Sequence, residues 1–156
     1  MTFGRVQDFG VRDINNMGAA MMPAAASTLL TYFHTFDAAP GDFDAVITGD
    51  LGVVGSELLR AQMAREGYDL FNHLDCGCLL YDRNRQDVQA GGSGPGCSAS
   101  VLCSWILPRL QRGEWKRVLF LATGALMSQT TFLQGESIPG IAHAVELGAP
   151  KGEKNG

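Results

Sequence analysis

A glycine-rich segment, Gly91-Gly-Ser-Gly-Pro-Gly-Cys97, leads into a predicted helix and is a candidate for ligand chemistry. Backbone N–H groups at a helix start are free to donate, and the helix dipole favours negative charge there. The segment therefore predicts either an anion-binding loop or a close-packed turn in which glycine serves geometry alone. It lacks the Gly-Lys-Ser/Thr ending of a Walker loop, and no strong strand precedes it as a dinucleotide fingerprint requires.

Cys97 is a candidate nucleophile because a thiol at a helix start can have a lowered pKa. Such a reaction also needs a base, and none of His34, His73 and His143 has a local partner motif. We therefore expect the three histidines to be surface or packed residues, and Cys97 to be a small buried residue.

Two further groups of residues carry metal-binding side chains. Cys76-Gly-Cys78 could begin a zinc site completed by Cys97 and Cys103, but the cysteine pair is spaced too closely for a usual zinc site, so we expect none. Asp50, within Thr48-Gly-Asp-Leu-Gly52, follows a predicted strand at the edge where open α/β sheets bind ligands. Its carboxylate could bind a cation, accept a hydrogen bond from a donor group, or cap the following helix.

Composition limits the class of protein. The chain has 156 residues, of which 46% are hydrophobic and 18% charged, which indicates one globular domain. With 12 basic and 16 acidic residues the net charge is -4, which argues against a nucleic-acid binder. The apolar runs are far shorter than the roughly 18 residues of a membrane-spanning helix. No secretory signal is recognisable at the N-terminus, and the four cysteines are expected to be reduced thiols.

Hydrophobic periodicity and turn residues predict alternating strands and helices. The predicted strands are residues 3–11, 43–48, 77–81, 116–123 and 138–147, and the predicted helices are residues 23–36, 54–66 and a segment from about Cys97 that Pro108 kinks or ends. Alternation of this kind is typical of an α/β fold with a layered, mostly parallel five-stranded sheet and helices on both faces. Residues 148–156 are predicted to form a flexible tail.

Several stretches of sequence act together as a family signature. They are Asp8-Phe-Gly, Asn16-Met-Gly-Ala-Ala20, Ile47-Thr-Gly-Asp-Leu-Gly52, Gly55-Ser-Glu57, Gln86-Asp-Val88, Gly91-Gly-Ser-Gly94, Ala122-Thr-Gly-Ala-Leu126 and Gln134-Gly-Glu-Ser-Ile-Pro-Gly-Ile-Ala-His143. Together they resemble the stage V sporulation protein AD family of spore-forming bacteria. That family is similar to the thiolase and 3-oxoacyl-[acyl-carrier-protein] synthase III fold, in which two similar halves form one αβαβα sandwich. The resemblance implies that residues 1–147 are a C-terminal thiolase-like half-domain and that the N-terminal half is absent.

The resemblance implies a role in sporulation and spore germination: non-catalytic binding of dipicolinic acid, or its calcium chelate, for uptake into the developing spore. It also implies other proteins of that uptake system as partners, and a location peripheral to the inner spore membrane. In the synthases this half carries a histidine after the second strand and an asparagine in a later glycine loop. The matching positions here are about Gly49 and residues 91–94, so a base and an oxyanion donor are missing and no catalysis is expected. The alternatives are an acyltransferase that uses Cys97 and a docking scaffold at the spore membrane.

The expected ligand-binding walls follow from loop position. They are Thr48, Gly49, Asp50, Leu51, Gly52, Asp75, Cys76, Gly91, Gly92, Ser93, Gly94, Thr123 and Gly124. In a calcium chelate, Asp50 or Asp75 could complete the oxygen coordination, whereas no resident cofactor or metal is expected. The helix that begins near Cys97 is suited to burial against the absent half, so we expect a homodimer or precipitation rather than a stable monomer.

Overall fold

A four-stranded sheet lies at the centre of the computed structural model, which describes residues 3–150. The strands are β1 Ala45–Thr48, β2 His73–Asp75, β3 Arg117–Ala125 and β4 Gly140–Gly148. The helices are α1 Met17–Phe36, α2 Gly52–Arg65, α3 Cys76–Leu79, α4 Pro95–Val101, α5 Leu107–Gln111 and α6 Gln129–Leu133. A 3₁₀ turn, Pro40–Asp42, precedes β1, and a π-helical turn, Leu102–Ile106, joins α4 to α5.

The strand order is β2-β1-β3-β4, with β1 parallel to both of its neighbours and β4 antiparallel to β3. Thr48, the last residue of β1, pairs with Asp75 of β2 and Leu121 of β3. The carboxyl ends of three strands therefore meet at one edge, which is where open α/β sheets bind ligands. The predicted α/β class with a mostly parallel sheet is confirmed.

Helices cover both faces of the sheet because consecutive strand residues point to opposite sides. Val46 packs with α1 and α2 in one buried cluster, whereas Ile47 packs with α4, the π turn and α5 in a second cluster. The result is three layers, helix, sheet and helix, as the sequence predicted.

The first predicted strand is not part of the sheet ladder. Within residues 3–11 only two isolated antiparallel bridges form along β4, Phe3 with Ala144 and Gln7 with Gly140. Gly10 then adopts a φ of 74°, with its N–H donating to the Asp8 carboxylate, and this turns the chain. The sheet accordingly has four strands rather than the predicted five.

Helix α1 begins six residues before the predicted start at Pro23. Asn16 caps it, with Oδ1 accepting from the Ala19 N–H at 3.2 Å, so Pro23 lies inside the helix. A proline in a helix interior costs about 3 kcal/mol. The first turns nevertheless bury Ala20 and Met21 in the core, and this burial offsets the missing hydrogen bond.

Pro108 does not end its helix either. The helical path runs from Pro95 to Gln111, and the π turn ends at Ile106, two residues before Pro108. A π turn widens the helix, which accommodates a residue that has no N–H to donate. The sequence placed the helix start at Cys97, whereas Pro95 occupies the first position, which its fixed φ suits.

Residues 77–81 do not form the predicted strand, because Cys76–Leu79 form the short helix α3 and residues 80 and 81 form a bend. Asp75 ends β2 and caps α3, since its carboxylate accepts from the Cys78 N–H at 3.2 Å. The strand β2 itself was not predicted, because three residues with two polar side chains carry almost no periodic signal.

The predicted tail at residues 148–156 falls mainly outside the described residues. Gly148 still belongs to β4, and the Ala149 N–H donates to the Lys116 carbonyl, while residues 151–156 are not described. Across residues 3–150, no helix has the length and apolar character needed to cross a membrane.

The crossing of α1 and α2 allows no side chain at Gly55. A Cβ there would lie 2.9 Å from Gly18 Cα. We predict that Gly55→Ala lowers the free energy of unfolding by about 1–3 kcal/mol, because the backbones of two packed helices must separate. Gly41→Ala is the matched control, since a Cβ at Gly41 has no neighbour within 4 Å. Urea unfolding measures the free energy of unfolding of both variants. Equal values would show that α1 and α2 can separate enough to accept a methyl group at no cost.

Candidate functional site

Two cavities flank Asp50 at the carboxyl ends of β1 and β3. The first has a volume of about 430 Å³ and is lined by Asp13, Asn15, Asn16, Met17, Gly18, Asp50, Leu51, Gly52, Val54, Ala90, Gly91, Gly92 and Ser93. The second has a volume of about 310 Å³ and is lined by Met17, Met21, Asp50, Ser93, Gly94, Pro95, Ser98, Thr123, Gly124 and Ala125. Met17, Asp50 and Ser93 border both, so a ligand that spans the two cavities would meet the Asp50 carboxylate.

Asp50 is held by β3 on one side and by the glycine-rich segment on the other. Its Oδ1 accepts from Thr123 Oγ1 at 2.7 Å, and its Oδ2 accepts from the Gly94 N–H at 3.0 Å and from Ser93 Oγ at 3.2 Å. The Asp50 N–H in turn donates to Thr123 Oγ1 at 2.9 Å. The negative charge that the glycine-rich segment was predicted to attract is therefore supplied here by the chain's own carboxylate.

Close backbone packing explains the other glycines of this segment. The Gly92 N–H donates to the Gly77 carbonyl at 2.7 Å, and a Cβ on Gly77 or on Gly91 would collide with the opposing backbone. A Cβ on Gly92 would lie 2.7 Å from the Leu80 side chain. The first glycines thus pack the turn, and the Gly94 N–H donates to the chain's own Asp50 carboxylate rather than to an external anion.

Asp75 lies beneath the cavities and is 3% exposed. Its carboxylate accepts four hydrogen bonds, from Thr48 Oγ1 at 2.6 Å and from the N–H groups of Leu51 at 2.9 Å, Gly52 at 3.0 Å and Cys78 at 3.2 Å. Burial raises the pKa of this carboxyl group, and the four donors oppose the rise. The carboxylate is thus fully engaged by the protein.

The structure brings most of the predicted wall residues together. Those that border a cavity are Asp50, Leu51, Gly52, Gly91, Gly92, Ser93, Gly94, Thr123 and Gly124. Thr48, Gly49, Asp75 and Cys76 lie behind these walls, and Thr48 and Cys76 are completely buried. Asp75 therefore offers no oxygen to a calcium ion in either cavity, because its acceptor positions face the interior.

The sequence did not predict several of the residues that line the first cavity. Asp13, Asn15 and Met17 border the first cavity because α1 begins at Met17 rather than at Pro23. Asn16 could have indicated the true start of α1, since asparagine is a preferred residue at the N-terminal cap of a helix.

Cys97 is buried, and its thiol faces the Gly49 carbonyl at 3.9 Å. Burial, with Asp50 and Asp75 adding repulsion, raises the pKa of the Cys97 thiol to about 11. Burial likewise raises the pKa of Cys76 to about 12. Both thiols are protonated at neutral pH, which is the opposite of an activated nucleophile.

The four cysteines do not converge on a metal site. Cys103 is exposed on the outer side of the π turn, whereas Cys76 and Cys97 are buried beneath the sheet edge. In the part of the chain that the structure describes, no three His, Cys, Asp or Glu side chains are arranged to hold a metal ion.

His73 is the buried histidine, while His34 and His143 are exposed. Its Nε2 lies 3.0 Å from Thr48 Oγ1. Because the Thr48 hydroxyl donates to Asp75, it accepts from His73, so Nε2 carries the proton. Nδ1 is buried without a hydrogen-bond partner. Burial, with Arg60 adding repulsion, lowers the pKa of His73 to about 4.

This lowered pKa predicts acid sensitivity. An unfolded histidine protonates below about pH 6.5 while folded His73 stays neutral down to about pH 4, so the unfolded state binds more protons in this window. The contribution of His73 to the free energy of unfolding is therefore fully present above about pH 6.5. It falls by about 3 kcal/mol as the pH decreases to about 4. We predict that His73→Gln, which keeps a donor for Thr48, removes this component.

Urea unfolding between pH 4 and pH 7 gives the free energy of unfolding of the wild type and of His73→Gln at each pH. The difference between the two slopes of this free energy against pH measures the component. His143→Gln, at an exposed position, is the control and should retain the wild-type slope. Parallel slopes for wild type and His73→Gln would contradict the prediction.

Comparison with known proteins identifies the family of the chain. A family model described as stage V sporulation protein AD matches residues 1–148. A curated relative, "Stage V sporulation protein AD" of Bacillus subtilis (strain 168), is 45% identical over 145 residues, which is 92% of this chain and 43% of the relative. The chain thus spans less than half the length of that relative. The chain belongs to the stage V sporulation protein AD family, which is involved in sporulation.

Proposed function

We propose that this chain binds dipicolinic acid, or its calcium chelate, without catalysis, at the cavities that flank Asp50, for uptake into the developing spore. The observation that carries the proposal is the pair of adjoining cavities at the carboxyl ends of β1 and β3. The ligand class comes from the resemblance of the sequence to its family. The proposal includes partners from the same uptake system and a location peripheral to the inner spore membrane.

The chemistry of the first cavity suits such a ligand. Dipicolinate is a flat ring with two carboxylates beside the ring nitrogen, so it needs an apolar slot with polar groups or a cation at the rim. Met17 and Val54 supply apolar wall, and Asn15 and Ser93 supply polar groups. The volume of about 430 Å³ lies within the range of small-molecule sites.

The charge of the cavities favours the calcium chelate over the free dianion. Asp13 and Asp50 border the first cavity, and no Lys, Arg or His is among the described residues that line either one. A carboxylate would repel a free dianion at close range but can complete the oxygen coordination of a bound calcium ion. Asp50 is the residue that meets both cavities.

Two features support binding rather than acyl transfer. A Cβ at Gly49 would lie 2.6 Å from Thr123 Oγ1 and 3.0 Å from the Thr123 nitrogen, so no imidazole fits there unless β3 moves. The buried Cys97 thiol, with its pKa raised to about 11, is protonated. The acyltransferase alternative thus has neither a base at Gly49 nor a thiolate at Cys97.

We predict that Asp50→Asn weakens binding of the calcium chelate at least tenfold and does not weaken binding of free dipicolinate. The amide has less affinity for calcium, and its loss of charge removes the repulsion of the dianion. Isothermal titration calorimetry of the 156-residue chain, with dipicolinate in calcium and in a chelator, measures both affinities. Asp69→Asn is the control, because it makes the same charge change at an exposed position before β2.

Four results would contradict the proposal, two by excluding the ligand or the site and two by favouring an alternative. Absence of heat in both conditions for the wild type would exclude dipicolinate as a ligand of this chain. Equal chelate affinity in Asp50→Asn and Asp69→Asn would exclude Asp50 from the site. A covalent adduct on Cys97 after incubation with an acyl-coenzyme A analogue, detected by mass spectrometry, would favour the acyltransferase. Unchanged dipicolinate accumulation in spores with cavity substitutions would favour the docking scaffold.

The proposal also includes self-association through the outer face of α4 and the π turn. Ala99, Ser100, Cys103 and Ser104 are exposed there, and their small side chains permit close approach of a second helix. Elsewhere on the surface, Leu126 is 72% and Leu133 82% exposed, which adds apolar area that favours association.

We predict that the 156-residue chain sediments as a dimer and that Ala99→Arg shifts it toward monomer, because a long charged side chain blocks close helix packing. Ala64→Arg is the control, since Ala64 is exposed on α2 at the opposite face of the sheet. Sedimentation velocity over a concentration series tests this. A stable wild-type monomer with a cooperative melt would overturn the prediction.

A further inference from the structure

We propose that Asp75 is a positioning residue for the cavities, because its carboxylate joins the turn that carries Asp50 to the short helix that holds the glycine-rich segment. The role in ligand binding rests on the proposed function, whereas the coupling between the two walls does not. Asp75 touches neither cavity, so it acts only through other residues.

The first link runs from Asp75 to the turn after β1. Asp75 Oδ2 accepts from the Leu51 N–H at 2.9 Å, and Oδ1 accepts from the Gly52 N–H at 3.0 Å. These are the two residues that follow Asp50, and Gly52 adopts a φ of 65°. The carboxylate thus fixes the backbone from which the Asp50 side chain projects.

The second link runs from Asp75 to the glycine-rich segment. Asp75 Oδ1 also accepts from the Cys78 N–H at 3.2 Å, which fixes the first turn of α3. In that turn the Gly77 carbonyl accepts from the Gly92 N–H at 2.7 Å. Two residues later, the Gly94 N–H donates to Asp50 Oδ2 at 3.0 Å. The hydrogen bonds therefore close a ring in which Asp75 holds both walls.

The ring of hydrogen bonds requires, at position 75, a side chain that accepts hydrogen bonds and donates none. All four partners of Asp75 donate, namely the Thr48 hydroxyl and three backbone N–H groups. An ionised carboxylate satisfies four donors, whereas a carboxamide presents its own N–H₂ to at least one of them. Asp75→Asn therefore keeps the shape of the side chain but breaks part of the ring.

The experiment compares Asp75→Asn with Asp44→Asn in the 156-residue chain. Asp44 is a matched control, because its carboxylate also accepts two backbone N–H groups, at 2.6 Å from Lys116 and 2.8 Å from Arg117, at the opposite end of the sheet. Proton–nitrogen correlation spectra report the glycine amides, and calorimetry reports the affinity for dipicolinate with calcium. Both are recorded at a temperature where melting curves show each variant folded.

We expect Asp75→Asn to move the amide signals of Gly52, Gly92 and Gly94 and to weaken ligand binding at least tenfold, while Asp44→Asn does neither. A residue that only stabilised the fold would lower the melting temperature without moving the Gly94 amide in folded protein. Unchanged Gly92 and Gly94 signals would overturn the coupling. Unchanged affinity in a variant with moved signals would overturn the role in binding.

Two further results keep the inference separate from folding and from the proposed function. If Asp75→Asn does not fold, Thr48→Val serves instead, because it removes the hydroxyl that donates to Asp75 and accepts from His73 while leaving the carboxylate in place. An unmoved Gly94 amide would then count against the coupling. If the wild type binds no dipicolinate, the proposed function and the role in binding fail together, and the amide signals still decide whether Asp75 couples the walls.

Discussion

A carboxylate buried at the end of β2 is the interaction on which the arrangement of the loops depends. Removing an ionised group from water is costly unless hydrogen bonds replace its hydration. Asp75 is 3% exposed and receives four donors, from β1, from the start of α2 and from α3. Because these donors converge on one group, the turn from β1 into α2 is held against the start of α3, although its donors lie 23 to 27 residues before Asp75.

A second carboxylate, at the cavities, gives the site its electrostatic character. Loops rich in glycine before a helix usually attract an external anion, since their N–H groups are unpaired. Here Asp50 takes Gly94 and Ser93 as donors and is also held by Thr123. An anionic ligand would have to compete with a group that is covalently part of the protein, whereas a cation would gain from it. The loop that suggests an anion site therefore forms a site with negative charge.

Local signals in the sequence predicted the elements whose formation is local. The apolar runs of β1 and β3 and the helical spacing of α2 agree with the structure to within a few residues. Contacts between distant residues determine the features that were missed. Helix α1 tolerates Pro23 because its first turns are buried, and β2 and α3 form around Asp75, whose partners lie up to 27 residues away. Nine of the cavity residues were predicted from loop position. Asp13 and Asn15 were not, because the sequence predicted that α1 begins at Pro23 rather than at Met17.

Thr123 links the shape of the site to its charge. Its hydroxyl occupies the space that a side chain at Gly49 would need, and the same oxygen donates to Asp50 Oδ1 while accepting from the Asp50 N–H. An imidazole at Gly49 would displace this hydroxyl and thereby release Asp50. Releasing Asp50 would in turn leave the Gly94 N–H and the Ser93 hydroxyl without their acceptor. A base at position 49 and a carboxylate held at position 50 thus exclude each other in this packing, so a site of the proposed binding type cannot gain the base by a single substitution.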